Sequence, residues 1–176
     1  MGSTMLDDIE TLRLRGERLG AHHLPELMRM HTDPVVMATL NGVKTEAETT
    51  AFRDAQIAHW EKHGYGVWII RDRDDGAFVG RAGIRNVTVG GREEVEVMYG
   101  LMAEYWGRGL ATELTHAFAS IAFETLRLSD LVAFTLTTNR ASQRVMEKSG
   151  FVYERDVEHW GLAHVLYRRL RTPERI

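Results

Sequence analysis

The pattern of apolar and polar positions predicts helices and strands in succession along the chain. Apolar residues recur at helical spacing over 107–126, as at Leu110, Leu114 and Phe118, which is typical of an amphipathic helix. A second helix is predicted from about Thr45 to Lys62, because Thr45 and Glu48 form a capping-box pattern ahead of an apolar stripe. Shorter helices are expected over 22–30 and 139–148.

Segments with the composition of β-strands separate and follow these helices. They are residues 11–15, 67–71, 78–84, 94–101, 131–136, 151–154 and 163–169. We therefore expect a mixed α/β fold with a mostly antiparallel central sheet of six to seven strands and about four helices. No repeat and no Pro/Gly/Ser-rich linker interrupts the chain, so a single domain is predicted over residues 1–176.

Composition and charge narrow the chemistry. The sequence contains no cysteine, which excludes disulfides and thiolate nucleophiles. Its net charge is −3 and no block of five like charges occurs, so neither a nucleic acid nor a membrane surface is the expected partner. The start MGSTMLDDIE has no apolar signal-peptide segment, and no apolar run reaches the ~20 residues of a membrane span. We expect a cytoplasmic protein.

The strongest chemical signal is a glycine-containing turn at the start of the long amphipathic helix. Gly107 and Gly109 allow a sharp turn that brings backbone N–H groups close to a ligand. The first N–H groups of a helix lack internal partners and favour an anion such as a pyrophosphate, to which Arg108 could add a contact. The alternative interpretation of this turn is a tight connection between a strand and a helix that binds no ligand. A third glycine and a Gly-Lys-Ser/Thr sequence are both missing, which argues against the Rossmann and P-loop patterns.

A second polar segment follows about thirty residues later, over 138–151. It combines a helix N-cap at Thr138 or Asn139, a basic helix, and a stop at Gly150 and Phe151. On its own, this segment is equally well explained as a capped amphipathic helix.

Together the two segments resemble the GNAT superfamily of N-acetyltransferases, and most of all its branch of RimJ/RimL-like ribosomal-protein-alanine N-acetyltransferases. The resemblance covers nearly the whole chain, through ETLRLR at 10–15, FVGRAGI at 78–84, VEVMYGL at 95–101 and YWGRGLATE at 105–113. Gly109 and Ala111 fit the family's Gln/Arg-x-x-Gly-x-Gly/Ala motif, whereas Trp106 replaces its Gln or Arg. Backbone N–H groups must then contribute most of the phosphate binding.

The resemblance implies that the family's fourth and fifth strands splay apart to hold acyl-CoA. Tyr99 and Leu101 would pair with the pantetheine arm, and the Leu101 N–H would polarise the thioester carbonyl. Asn139 would reach the pantetheine, and Arg144 either approaches the adenosine or lies on a solvated helix face. The cofactor-binding residues implied are Tyr99, Leu101, Trp106, Gly107, Arg108, Gly109, Leu110, Ala111, Thr112, Asn139, Ser142 and Arg144.

The implied reaction moves the acetyl group of acetyl-CoA, as co-substrate, to a primary amine by direct attack. Glu96 interrupts an apolar strand and is the candidate general base, with a structural salt bridge as its alternative. Met146 stands where many relatives have a Tyr that acts as general acid for the departing thiolate of CoA. Ser142 is therefore a candidate to hydrogen-bond this sulfur. Its alternative role is to hydrogen-bond backbone groups in the first turn of the helix.

The acceptor is less defined by the sequence. A protein N-terminal amine and a small amine (polyamine, amino acid or antibiotic) are both open, as is a non-catalytic acyl-CoA-binding module. His164, Glu158 and Trp160 are candidates to line the acceptor pocket. The histidines lack a recognisable zinc spacing, so no metal is expected. The family resemblance is compatible with a homodimer.

Overall fold

The computed structural model describes residues 6–172, which form one eight-stranded sheet with helices on both faces. The strand order is β1-β2-β3-β4-β5-β6-β8-β7, and every neighbouring pair is antiparallel except β5 with β6. The strands are β1 (Asp8–Glu10), β2 (Leu14–Arg18), β3 (Val67–Asp72), β4 (Phe78–Val89), β5 (Arg92–Leu101), β6 (Asp130–Leu136), β7 (Val152–His159) and β8 (Leu162–Leu170).

Five α-helices accompany the sheet, together with two 3₁₀ turns and one π-helical turn. The α-helices are α1 (Leu24–His31), α2 (Pro34–Met37), α3 (Glu46–His63), α4 (Leu110–Ser120) and α5 (Arg140–Lys148). The 3₁₀ turns are Ala21–His23 and Ala103–Tyr105, and the π-helical turn is Ile121–Thr125. The predicted helix over 107–126 therefore begins at Leu110, because Gly109 has a left-handed backbone.

The mixed α/β fold with a mostly antiparallel sheet is confirmed, with two differences in number. The strand predicted over 11–15 begins only at Leu14, in β2, because the Thr11 N–H donates to the Leu14 carbonyl in the turn of a hairpin between β1 and β2. This hairpin raises the strand count to eight. The fifth helix, α2, which the sequence pattern did not predict, forms because Asp33 accepts hydrogen bonds from the N–H groups of Val35 and Val36.

The two faces of the sheet are covered by different helices. Leu27 and Met30 of α1 pack with Val67 and Ile69 of β3 on one face. On the other face, Trp68 of β3 stacks on Phe118 of α4, with ring centroids 5.2 Å apart. Side chains alternate between faces along a strand, so residues of β4 and β5 contribute to both cores. No helix within residues 6–172 is long and apolar enough to cross a membrane.

Candidate active site

The sheet opens between β5 and β6, where the splayed strands were expected. These parallel strands share a single register pair, Glu96 with Val132. The Met102 N–H donates to the Val79 carbonyl on β4, so alternation directs the backbone groups of Leu101 and Tyr99 away from β4 and into the opening. The open strand edge thus runs from Glu96 toward the end of β5.

One of these backbone groups is already occupied. The Trp106 indole donates a hydrogen bond of 2.8 Å to the Leu101 carbonyl, although the indole ring remains half-exposed. Trp106, which replaces the expected Gln or Arg, therefore fixes the glycine turn to the end of β5. The Leu101 N–H is the group of this residue that can take the role implied for the thioester carbonyl.

The turn before α4 is open to a ligand. Gly107 has φ 72° and Gly109 has φ 76°, the left-handed region that favours glycine. A Cβ at Gly107 would meet nothing within 4 Å. No side chain caps α4, and the N–H groups of Leu110, Ala111 and Thr112 have no intrahelical acceptor by geometry. These donors and the helix dipole suit the pyrophosphate of CoA.

An ion pair outside the predicted site holds this turn. Arg13 donates to the Arg108 carbonyl at 2.8 Å and pairs with Glu113 at 2.7 Å, and the Thr11 hydroxyl also donates to Glu113. Burial alone would raise the pKa of Glu113, but the hydrogen bonds from Thr11 and Arg13 outweigh it and lower that pKa. Glu113 therefore stays ionised and directed at Arg13, away from the open N–H groups.

The two basic side chains predicted to bind CoA lie at the surface. The Arg108 guanidinium carbon lies 5.3 Å from the centre of the Tyr105 ring and the residue is exposed. Arg144 is an exposed residue of α5. Ala111 and Thr112, in the first turn of α4, are half-buried, whereas Leu110 belongs to the core.

The start of α5 connects to β5 through two hydroxyl groups. Asn139 caps the helix by accepting from the Ser142 N–H at 3.2 Å and also donates to the Thr135 hydroxyl. The Tyr99 and Ser142 hydroxyl oxygens lie 2.8 Å apart. Burial raises the pKa of Tyr99 to about 12, against an opposing hydrogen bond to Ser142, so Tyr99 stays protonated. Met146 is buried in the core, as its apolar side chain requires.

Glu96 lies on the opposite face of β5 from Tyr99. It is only 3% exposed, and its Oε1 accepts a hydrogen bond of 2.5 Å from Arg85 Nε. The structural salt bridge weighed as the alternative therefore exists. It does not itself decide between a structural and a catalytic role for this carboxylate.

Three side chains that the sequence did not single out share the face of Glu96. Arg85 and Arg81 precede it on β4, and His159 lies on β7, where its buried Nε2 has no hydrogen-bond partner among the described residues. Burial, and then His164 and Arg85, lower the pKa of His159. The one available signal was the spacing of Arg81 and Arg85, two basic residues on the same side of an otherwise apolar strand.

The candidates for the acceptor pocket do not all come together. His164 is buried and its ring centroid lies 5.9 Å from that of Phe134 on β6. Glu158 is exposed and pairs in register with Ala163, so it projects from the other face of β7. Trp160 is 61% exposed in the turn between β7 and β8. Within residues 6–172, no group of three or more His, Asp or Glu residues could hold a metal ion.

The open strand edge, the uncapped helix start and the glycine turn form the arrangement expected of a protein that binds an acyl-CoA between two strands. Residues 12–152 match the model of the acetyltransferase (GNAT) domain. The chain belongs to the GNAT family of acetyltransferases and is an acyl-CoA-dependent N-acetyltransferase.

Two relatives are similar to the chain at the level of sequence. The chain is 27% identical over 140 residues to the uncharacterized protein YkkB of Bacillus subtilis (strain 168), covering 80% of this chain and 81% of YkkB. It is also 27% identical over 157 residues to the FsC-acetyl coenzyme A-N(2)-transacetylase of Aspergillus fumigatus, covering 82% of this chain and 65% of that protein.

Solved structures share the fold at lower identity. An acetyltransferase from Agrobacterium tumefaciens str. C58 superposes with a TM-score of 0.80 at 24% identity, over 96% of this chain and 97% of that one. RimL, a ribosomal L7/L12 alpha-N-protein acetyltransferase in complex with coenzyme A, superposes with a TM-score of 0.73 at 17% identity, over 91% of this chain and 95% of that one.

Proposed function

We propose that this enzyme acetylates a primary amine by direct attack on the thioester of acetyl-CoA, with Glu96 accepting the proton of the amine. The observation that carries this proposal is the position of Glu96, a buried carboxylate at the register pair where β5 and β6 begin to separate. A carboxylate at this point can take the proton directly or through a water molecule.

Acetyl-CoA supplies the acetyl group as an activated thioester. The acceptor nitrogen forms the new C–N bond, the C–S bond breaks, and a proton returns to the departing thiolate. No enzyme nucleophile is needed, in agreement with the absence of cysteine. N–H groups from Gly107 to Thr112 would hold the pyrophosphate, and those of Tyr99 and Leu101 would align the pantetheine with the open strand edge.

The hydroxyl of Ser142 is our candidate for contact with the sulfur. It lies 2.8 Å from the protonated hydroxyl of Tyr99, so a proton donated by Ser142 could be replaced from Tyr99. The amide nitrogen of Asn139 has two hydrogens and uses one of them for Thr135, which leaves the other for the pantetheine.

The acceptor class is a separate part of the proposal. A protein N-terminal amine is supported by the RimJ/RimL-like sequence motifs and by the fold shared with RimL. A small amine is the second candidate acceptor; the name of one relative, FsC-acetyl coenzyme A-N(2)-transacetylase, describes acetyl transfer to an N(2) nitrogen. A cytoplasmic location and a homodimer complete the proposal.

Replacing Glu96 with Gln tests the assigned base. We expect turnover to fall by roughly 100-fold or more, because general-base catalysis contributes about that much, while the affinity for CoA stays the same. The measurement is CoA release from acetyl-CoA with a panel of amines and N-terminal peptides, beside calorimetric titration with CoA. The matched control is Glu93→Gln, an exposed position on the same strand. Equal turnover in both variants would remove Glu96 from the mechanism.

A further inference from the structure

Arg81 is a buried cation that the proposed reaction does not use. It lies in the middle of β4 and is 5% exposed. Its Nε donates to His31 Nε2 at 3.2 Å, its Nη1 lies 3.9 Å from Met98 Sδ, and its guanidinium carbon lies 4.5 Å from the centre of the Phe52 ring. These partners come from α1, β5 and α3, and none is a carboxylate.

His31 accepts from Arg81 as a neutral imidazole. Its Nδ1 lies 3.1 Å from the Thr49 hydroxyl. Burial, and then repulsion from Arg81 and Lys44, lower the pKa of His31 to about 3. The His31 ring therefore carries no charge at neutral pH and cannot compensate the charge of Arg81.

Other enclosed arginines differ from Arg81 in having carboxylate partners. Arg85 pairs with Glu96, Arg71 with Glu17 and Glu26, and Arg168 with Glu94, Asp130 and Glu154. Within residues 6–172, no carboxylate oxygen lies within 4 Å of the Arg81 guanidinium. A buried charge without a counter-ion costs free energy, which a bound anion would offset.

The carboxylates on this face of β4 and β5 are paired with arginines other than Arg81. Arg81 and Arg85 lie on this face, four residues apart, while Glu96 pairs with Arg85 and Glu94 pairs with Arg168. Burial, and then repulsion from Arg85, lower the pKa of Arg81 to about 9, while Glu96 acts in the opposite direction. Arg81 is therefore protonated at neutral pH, and it has no carboxylate partner of its own on this face.

Arg81 also lies close to the place assigned to the thioester. It is the register partner of Gly100, the residue before Leu101, whose N–H we assign to the thioester carbonyl. Gly100 has no side chain to shield this position. The atoms nearest to a Cβ built there are the ends of the buried Met30 side chain and of the partly buried Leu40 side chain, at 2.6 and 3.0 Å, so a carboxylate at Arg81 would displace these side-chain ends.

We propose that Arg81 binds a carboxylate carried by the acceptor, so that the natural acceptor is a free amino acid or a closely similar amino-carboxylate. This inference rests on the proposed acetyl transfer. A polyamine would place its positive charges against a guanidinium that has no carboxylate partner. A residue at a protein N-terminus has an amide where a free amino acid has its carboxylate, and so lacks the group that Arg81 would bind.

The test compares amino acids with their own amides as acceptors of the wild-type enzyme. We expect kcat/KM for the acid to exceed that for the amide by at least about 30-fold for the preferred side chain, mainly through KM. Arg81→Met should bring this ratio close to one. The control Arg29→Met removes a half-exposed arginine of α1 that pairs with Glu104, and it should keep the ratio.

The outcomes separate this inference from the proposed function. CoA release that is as fast with amides as with acids would overturn the carboxylate site and leave acetyl transfer intact. A variant Arg81→Met that loses thermal stability and slows both acceptors equally would identify Arg81 as structural. Absence of release with every amine would contradict the proposed function. Calorimetric titration then compares the affinities of the CoA-saturated wild type for the amino acid and for its amide. Tighter binding of the acid supports the carboxylate site, and equal affinities overturn the inference.

Discussion

The starts of α3 and α4 solve the same physical problem in opposite ways. At α3, the Thr45 hydroxyl accepts from the Glu48 N–H at 3.1 Å, and the Glu48 carboxylate accepts from the Thr45 N–H at 2.7 Å. At α4, Gly109 occupies the cap position and offers no side-chain acceptor. The acidic residue of the first turn of α4, Glu113, bonds to Thr11 and Arg13 instead.

This difference separates a helix start used for stability from one available for binding. A side-chain cap contributes about 1 kcal/mol, and α2, α3 and α5 each have one. The start of α4 forgoes that contribution and keeps its N–H groups free beside the open edge of β5. The ion pair of Arg13 with Glu113 holds the turn in place of a cap.

Among the variants that compare the two helix starts, Gly109→Val should produce the largest effect. Valine resists the left-handed backbone and would crowd the open N–H groups, so we expect CoA affinity to fall on the order of 100-fold, or about 2.7 kcal/mol. Calorimetric titration with CoA measures the loss.

Gly64→Val is the matched control for backbone strain. Gly64 follows α3 with φ 73° and ψ 10°, nearly the conformation of Gly109 with φ 76° and ψ 10°. This variant should lower the free energy of unfolding by about 1–2 kcal/mol and leave CoA affinity unchanged. Equal losses of CoA affinity in the two variants would mean that strain, and not position, explains the effect at Gly109.

Thr45→Ala should have a smaller effect than Gly109→Val, and it should lower stability and not CoA affinity. Loss of the cap at α3 should cost about 1 kcal/mol of stability, measured by chemical denaturation, with CoA affinity unchanged. A weaker affinity for CoA in this variant would show that the two helix starts are not independent in function.

The sequence predicted local features well and long-range pairs poorly. The capping box at Thr45 and the cap at Asn139 depend on residues three positions apart and are confirmed. The strand predicted over 11–15 was placed too early because residues 11–13 form a turn, which Thr11 ties to Glu113 across 102 positions, and β2 begins at Leu14.

The environment of Arg81 likewise could not be predicted from local sequence patterns. Its contacts come from α1, α3 and β5, at separations that no local pattern encodes. The glycine turn was visible in the sequence because its chemistry lies in consecutive backbone groups. The pairing of Glu96 with Arg85 was foreseen only as a general alternative, since the register of β4 with β5 decides it.

The most direct test of phosphate binding at α4 is the response of individual backbone amides in ¹⁵N-correlated NMR spectra. We expect the resonances of Gly109, Ala111 and Thr112 to shift on titration with CoA but not with pantetheine, which lacks the diphosphate. The resonances of Glu46 and Glu48 at the start of α3 should stay in place with both ligands. Unchanged α4 amides at saturating CoA would contradict the assignment of this helix start to the pyrophosphate.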